Sequence, residues 1–300
     1  MSKCLSLDPG SIAVSELHSH LLGAVTPRPI GFVSTIDEDG QVNLSPFSFF
    51  NCFGSNPPVL IFSPSLRVRD KSSKHTLENA RSTGEVVIGI ANYSIAQQLS
   101  LSSTEYDRGV NEFVKSGLTE EPSLKVKPPR VKECPVSFEC RVNQIIATGT
   151  EGGAGNLVIC EILMMHIHEN ILGDNGKIDP NKLDVIGRLG ENFYCRITGD
   201  SIFEIEKPLR EKGVGVDLIP PEIRNLAFLD GNALGSLGNI ASIPTEEEVR
   251  TWEGYPELYS ILKNQGNQAR MELLSSRVAQ YLQENKIREA WKVLLTWKIL

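Results

Sequence analysis

The sequence predicts a mainly β domain, an antiparallel barrel or sandwich, followed by a C-terminal α-helical extension. The first two-thirds contain about seven β-prone segments joined by turns and short helices rather than by repeated βαβ units, which argues against a parallel sheet. Beyond about residue 206 these segments stop and helical apolar stripes begin. All five His and six Cys precede residue 201, whereas Trp252, Trp291 and Trp297 all follow residue 251. We therefore predict two domains, residues 1–205 and 206–300.

The composition is that of a globular protein and restricts its partners. Of the 300 residues, 40% are apolar and 22% are charged, close to the globular average. The net charge of −7 argues against nucleic acid or an anionic membrane as the main partner, because both favour a basic surface. No apolar run approaches the ~20 residues that span a bilayer, and the N-terminus lacks a secretory apolar segment. The six cysteines show no C-x-x-C spacing, which argues against a zinc knuckle or a thioredoxin-type pair. Without a secretory segment, a reduced, cytoplasmic setting is the default expectation.

The first predicted elements are a short helix and a β-hairpin. Residues 12–24 indicate a helix or turn before a proline-rich segment. Two β-prone segments, 30–36 and 41–53, are joined by an acidic loop that ends at Gly40, which is typical of a hairpin. The apolar run 58–63 is short enough to be a buried strand.

A helix, a strand and a second hairpin follow. Residues 74–83 suit a short helix ended by glycine, and residues 85–91 suit a strand. Another short helix is expected over 94–101, before a long polar loop over 102–133. Two long strands on either side of a glycine-rich turn are then predicted, over residues 134–146 and 156–168.

The last hundred residues have the pattern of a helical extension. Residues 206–243 are expected to be irregular. Glu246, Glu247 and Glu248 indicate a helix start, since acidic side chains favour the positive end of the helix dipole. Apolar stripes predict two amphipathic helices, over residues 268–284 and 287–298.

A glycine-rich run and a pair of histidines are weak candidates for a cofactor site and a metal site, respectively. The run Gly152-Gly153-Ala154-Gly155 precedes a strand instead of opening a helix, the reverse of the dinucleotide-binding arrangement, so a hairpin turn is favoured. No P-loop motif is present. His166 and His168 share one face of a strand, but two ligands are too few for a metal site, and a barrel-lining or surface pair is favoured. His18 and His20 are expected to be surface or packing residues.

A group of polar residues in the first 80 positions suits an anionic, aromatic ligand. Arg28 lies between two prolines, which restrict its backbone and reduce the entropic cost of fixing its side chain. Lys74 and Thr76 lie at the start of a helix, where the dipole favours an anion. Polar side chains also interrupt an aromatic strand and end the next one, at Ser45, Ser48, Asn51 and Ser63. Such donors bind a phosphate dianion. Taken singly, they are more typical of a solvated basic loop beside a core strand.

Eight blocks in fixed order resemble the flavin reductase-like, FMN-binding split-barrel proteins, in particular their flavoredoxin-like branch. The blocks span roughly residues 15–200 and read PRPIGFVST, D-x-D-G, QVNLSPFSFFN, NPPVLIFS, KHTLENARSTGEVVIGI, EYDRGVNEFVKSGLT, KVKPPRVKECPVSFEC and IGRLGENFYCR. The resemblance implies a six-stranded antiparallel Greek-key split barrel that binds FMN non-covalently, with FAD as a possibility. It also implies a homodimer with the flavin sites near the subunit interface.

The resemblance also implies which residues contact the flavin. Arg28 matches the family's arginine close to the flavin. The strand that contacts the flavin ring and ribityl chain corresponds to Ser45, Pro46, Phe47, Ser48 and Asn51. The phosphate-binding group corresponds to Ser63, Lys74 and Thr76, and Arg188 matches a later arginine near the site.

Three positions depart from the family pattern, and the first is Asn56, where the family often has an aspartate before two prolines. His75 stands where the family often has an aspartate that would cap the helix, although Lys74 and Thr76 are kept. Glu191 stands where a glycine is usual, which places a carboxylate near the expected nicotinamide approach and leaves the role of Arg188 open.

The activity implied by the resemblance is that of an NAD(P)H:flavin oxidoreductase, in which NAD(P)H is a transient donor and the flavin carries the hydride chemistry. No general base is implied. The alternatives are an FMN electron carrier without a dinucleotide site and a barrel that binds no flavin. A redox or oxygenase protein is the expected partner. We expect Trp291, Leu294 and Leu295 to cover the barrel or a dimer partner, with a lid over the flavin as the alternative.

Overall fold

The computed structural model describes residues 4–205 and 212–300, which belong to two compact units, Met1–Phe203 and Glu204–Leu300. The predicted domain boundary adjoins residues 206–211, which lie outside the described residues. None of the described helices combines the length and the apolar character that a bilayer crossing requires.

The first unit consists of one large sheet with short helices and two small ribbons. Its helices are α1 (Val14–Ala24), α2 (His75–Thr83), α3 (Ala96–Leu101), α4 (Glu112–Ser116) and α5 (Pro180–Leu183). Its strands are β1 (Gly31–Ile36), β2 (Val42–Phe47), β3 (Phe50–Ser55), β4 (Pro58–Phe62), β5 (Glu85–Ile90), β6 (Glu120–Glu121), β7 (Arg130–Val131), β8 (Val136–Ala147), β9 (Asn156–Ile167), β10 (Ile186–Arg188) and β11 (Tyr194–Arg196).

The large sheet is antiparallel, with the strand order β2-β1-β5-β8-β9-β4-β3. Both predicted hairpins, β1–β2 and β8–β9, are confirmed. In the first hairpin the Asp37 carboxylate accepts hydrogen bonds from two backbone N–H groups of its own loop, at 2.8 and 3.1 Å, and Gly40 adopts a φ of 84°. The acidic loop therefore forms the turn that its sequence indicates.

The sheet has seven strands, so the expected count of six is wrong. The segment 41–53, expected to be one strand, is interrupted at Ser48 and Phe49 and forms β2 and β3. These two strands lie at opposite edges of the sheet, although only two residues separate them. Pro46 in β2 has no backbone N–H, which suits a strand at an edge.

The short connection between β2 and β3 requires the sheet to curve until its two edges meet. A Cβ atom added at Gly31 of β1 would lie 3.0 Å from the Phe50 ring of β3, so the far edge does return to the first strands. Across residues 4–205, no hydrogen-bonded ladder joins β2 to β3. The sheet is therefore a barrel that is split along one seam.

The barrel interior is closed by apolar side chains and by α2. Val33, Phe62 and Val158 are fully buried, and Leu77 and Ala80 of α2 belong to the same cluster. Cys140 and Cys160 are buried as well, whereas Cys52 is exposed. Burial raises the pKa of the Cys140 thiol to about 12, so this cysteine behaves as a small apolar residue.

The second unit is helical and has a core of its own. It contains α6 (Pro221–Arg224), α7 (Gly231–Gly238), α8 (Glu246–Arg250), α9 (Tyr255–Asn264), α10 (Asn267–Gln283) and α11 (Ile287–Ile299). The helix α7 corrects the expectation of an irregular segment over 206–243, and it starts where the Asp230 carboxylate accepts a hydrogen bond from the Ala233 N–H. Trp291 and Leu294, which we expected on the barrel or a dimer partner, are fully buried among the other helices of this unit.

Candidate functional site

A cavity of about 640 Å³ lies between α1 and the loop that follows β4. This volume falls within the range of small-molecule and cofactor sites. Its apolar lining comes from both segments and consists of Val14, Leu17, Leu21, Leu66 and Val68. Its charged lining consists of Arg67, Arg69, Lys74 and Glu105. The cavity therefore offers an apolar surface together with an excess of positive charge.

Lys74 contributes a cation to the cavity lining. The residue precedes the first turn of α2, and its ammonium lies over the Phe47 ring, 5.4 Å from the ring centroid. Within the described parts of the chain it has neither a hydrogen-bond acceptor nor an ion-pair partner. Burial lowers the pKa of Lys74, because desolvation disfavours the charged form. An ammonium in this position favours the binding of an anion.

Two arginines beside Lys74 share one carboxylate. Arg67 Nε donates to Glu105 Oε1 at 3.1 Å, and Arg69 Nη2 lies 3.0 Å from Glu105 Oε2. The hydrogen bond from Arg67 and the nearby positive charges hold the pKa of Glu105 below its usual value, so this carboxylate is ionised at neutral pH. The basic cluster of Arg67, Arg69 and Lys74 thus contains an anion from the protein itself.

Sequence reasoning missed Arg67, Arg69 and Glu105. The spacing Arg67-x-Arg69, with Lys74 shortly after, forms a basic run between a strand and a helix and could have indicated the two arginines. Glu105 lies 38 positions after Arg67 in the loop before α4, and no local pattern connects the two.

A second, smaller cavity of about 30 Å³ shares Arg67, Lys74 and Glu105 with the first and is also lined by Ser45 and Thr76. The structure therefore brings together three of the predicted site residues, Ser45, Lys74 and Thr76.

Buried polar contacts fix the strand and helix behind this smaller cavity. The Thr76 hydroxyl is buried and accepts a hydrogen bond of 2.9 Å from Asn43 Nδ2. The buried Glu112 carboxylate accepts a hydrogen bond of 2.9 Å from the Leu44 N–H, and burial raises the pKa of Glu112.

Arg28 is 5% exposed, and its guanidinium joins three segments of the chain. Nη1 donates to the carbonyl oxygens of Leu22 and Val25 at the C-terminal end of α1, the second at 2.8 Å. Nη2 donates to the Leu189 carbonyl at 2.8 Å, and Nε donates to the Ser48 hydroxyl at 3.2 Å. Because these contacts use its nitrogen atoms, this geometry does not favour direct binding of a phosphate by Arg28.

The other predicted residues lie outside the cavity lining. The Phe47 ring packs in the core, with its centroid 5.4 Å from that of the Phe62 ring, and the Lys74 ammonium lies over it. The Asn51 side-chain oxygen accepts a hydrogen bond from the Cys52 N–H on the exposed edge strand. Ser63 packs against Gly155, where a Cβ would lie 2.8 Å from its hydroxyl oxygen. The Arg188 guanidinium carbon lies over the Tyr194 ring, 4.5 Å from the ring centroid.

The histidine patterns have separate outcomes. His18 lines the large cavity and meets the Phe49 ring edge-on at 6.4 Å, so it lies closer to the candidate site than the sequence indicated. His166 is hydrogen-bonded to the buried Glu139 carboxylate at 2.7 Å. Although burial opposes ionisation of Glu139, hydrogen bonds from two backbone N–H groups and from His166 lower its pKa. Over residues 4–205 and 212–300, no group of three side chains is arranged to hold a metal ion.

Comparison with known proteins identifies the family of the first unit. The family model described as the flavin reductase like domain matches residues 22–180, which is more than half of the chain. The chain belongs to the flavin reductase-like family. Its members bind flavin, and the match contains the loop and helix that supply Arg67, Arg69 and Lys74.

The relatives of this flavin reductase-like chain agree with that assignment. An uncharacterised protein of Aquifex aeolicus is 39% identical over 184 residues, which cover 61% of this chain and 91% of the relative. The crystal structure of nitrilotriacetate monooxygenase component B from Bacillus cereus superposes with a TM-score of 0.64 at 26% identity, covering 68% of this chain and all of the other. A split-barrel protein of Shewanella frigidimarina gives a TM-score of 0.57 at 25% identity, with 66% and 95% covered.

The cavity of this flavin reductase-like unit combines cationic donors with an apolar surface. The ammonium of Lys74 is available for a phosphate, and Arg67 and Arg69 lie beside it. Apolar side chains of α1 and of the loop after β4 suit a flat ring. The second unit, Glu204–Leu300, lies outside the family match.

Proposed function

We propose that the first unit binds FMN non-covalently in the 640 Å³ cavity and acts as an NAD(P)H:flavin oxidoreductase. The observation that carries this proposal is the ammonium of Lys74, which forms no ion pair within the described residues and lies at a cavity lined by apolar side chains of α1. A phosphate monoester is the anion that such a basic cluster suits, because its oxygens accept several charge-assisted hydrogen bonds at once. Membership of a flavin-binding family supports a flavin as the remainder of the ligand.

Each part of the lining has a separate task in this proposal. Lys74 and Arg67 hold the phosphate, and Leu17, Leu21 and Val68 exclude water from the ring. Arg28 positions the C-terminal end of α1 and thereby one wall of the cavity. When bound, FMN supplies the hydride-accepting and electron-transfer chemistry, with NAD(P)H as the transient donor. FAD remains an alternative cofactor in the same cavity.

The experiment is an absorption spectrum of the purified protein with FMN, recorded under argon before and after rapid mixing with NADH or NADPH. We expect bound FMN to be present and its visible absorption to bleach with at least one nicotinamide. Bound FMN that bleaches with neither would instead indicate an electron carrier without a dinucleotide site. Failure to bind FMN or FAD would refute the proposal.

We also propose that the chain acts in the cytoplasm as a homodimer and passes electrons to an oxygenase or another redox protein. Leu163, Met165 and Ile167 alternate along β9 and are each more than a third exposed, and a second copy of the chain would cover this apolar strip. The similarity to a monooxygenase component supports an oxygenase as the acceptor. Sedimentation equilibrium tests the dimer, and a dimer that persists after Met165→Lys would contradict the use of this strip.

A further inference from the structure

Glu105 is the acidic residue that lines the cavity at its basic end. Among the described residues, its carboxylate bonds to the side chains of Arg67 and Arg69 and to none of its own loop. Glu105 also lowers the electrostatic cost of the nearby Lys74 cation without forming an ion pair with it. The carboxylate therefore uses the donors on which a phosphate would depend.

Both arginines have other anchors, so they do not need Glu105 to keep their place. Arg67 Nη1 donates to the Ser72 hydroxyl at 3.0 Å and to the Ser73 carbonyl. Arg69 Nε donates to Asp70 at 3.0 Å. If the Glu105 side chain moved away, both guanidinium groups would remain tied to the loop after β4 and would regain free donors. Glu105 itself is about half exposed and could move into solvent.

Displacement of Glu105 would raise the net positive charge of the cluster, which favours the binding of a phosphate. Arg67, Arg69 and Lys74 supply three positive charges, and Asp70 and Glu105 supply two negative ones, which leaves a net charge of +1. Without Glu105 the net charge is +2, which balances a phosphate dianion.

We propose that Glu105 occupies the place of the flavin phosphate and that a phosphorylated flavin must displace it. Glu105 is thus a specificity-determining residue: it reduces the affinity for FMN relative to riboflavin and limits binding of other anions. This inference rests on the proposed function, since it concerns the same cavity.

The test is Glu105→Gln, with dissociation constants for FMN and riboflavin measured by flavin fluorescence in low-salt buffer. The variant keeps the size of the side chain and removes its charge. We expect FMN to bind roughly fivefold more tightly, as for the loss of exposed ion pairs, and riboflavin affinity to change less than twofold. The gain for FMN should shrink at high salt, because screening weakens all of these charges.

The matched control is Glu161→Gln, which removes an equal charge from β9, where Glu161 pairs with Arg141 outside the cavity lining. It should leave both affinities unchanged. Weaker FMN binding by Glu105→Gln would show that Glu105 organises the arginines and would overturn the inference, as would an unchanged ratio of the two affinities. A native chain that binds neither flavin would refute the proposed function itself.

Discussion

Replacement of Arg28 by methionine tests whether this arginine joins segments of the fold or binds the phosphate. The change removes three hydrogen bonds to backbone carbonyls and one to the Ser48 hydroxyl. Hydrogen bonds to a charged group contribute about 1.5–3 kcal/mol each, but part of this sum only offsets the cost of burying the guanidinium. Burial and the neighbouring Arg188 lower the pKa of Arg28, as expected for a cation that is partly desolvated. We therefore expect a net loss of about 3–5 kcal/mol in the free energy of unfolding.

Urea unfolding followed by far-ultraviolet circular dichroism measures this loss. All three tryptophans belong to the second unit, so their fluorescence provides an internal reference within the same sample. Ser48→Ala removes only one of the four contacts and should cost about 0.5–1.5 kcal/mol, which keeps the test valid if the methionine variant does not fold.

Ligand binding separates the two roles of Arg28. Because Arg28 contacts the end of α1, its loss should weaken FMN and riboflavin by the same factor. Selective loss of FMN, with an unfolding midpoint close to that of the native chain, would refute the structural role and restore Arg28 as a phosphate ligand.

Three further predictions concern the cavity and the groups behind it. Lys74→Met should weaken FMN roughly 10- to 100-fold and riboflavin much less, measured by fluorescence titration, since only the phosphate loses a charged contact. The pKa of Glu112 is raised in the folded state, so the contribution of this group to stability is present below its unfolded pKa and is lost as the pH rises through its folded pKa. The free energy of unfolding of Glu112→Gln, measured in urea, should therefore rise relative to that of the native chain between pH 4 and pH 7. A difference that stays constant over this range would contradict the assignment. Gly152→Ala would place a Cβ 2.8 Å from the Val68 backbone, which lines the cavity, and should weaken the binding of FMN and of riboflavin to a similar extent. Equal affinities in the native and variant chains would show that Val68 does not form the cavity wall.

The sequence predicted correctly the elements that are determined by residues close together in the chain. The β1–β2 hairpin follows from its acidic loop, and the end of α2 follows from Gly84, which adopts a left-handed conformation at φ 70°. The interruption at Ser48 was missed because the aromatic residues on either side of it are β-prone, although Pro46 and Asn51 weaken the strand pattern. The division places β2 and β3 at opposite edges of the curved sheet, which is a property of the whole sheet. The helix α7 was missed because its glycines disfavour a helix, while its buried Leu237 stabilises it.

The candidate site was predictable only in part for a related reason. Lys74 and Thr76 lie at a helix start that the sequence indicates, and the structure brings both to one cavity. The contact of Arg28 with Leu189 and that of Glu105 with Arg67 join residues 161 and 38 positions apart, respectively. Neither distance leaves a trace in a single sequence, so the roles of these two residues could not be derived from their neighbours.

The two-residue connection between β2 and β3 also has consequences for folding and aggregation. Each of these edge strands pairs with its sequence neighbour, so the hairpins β1–β2 and β3–β4 rest on local contacts, which typically form early. Pairing of β4 with β9 joins segments about 100 residues apart, and such non-local pairing is typically slow. Until that step is complete, one side of the β4 backbone is unpaired and exposed to other chains. In the finished barrel, the two edge strands β2 and β3 are short and lie close together along the seam.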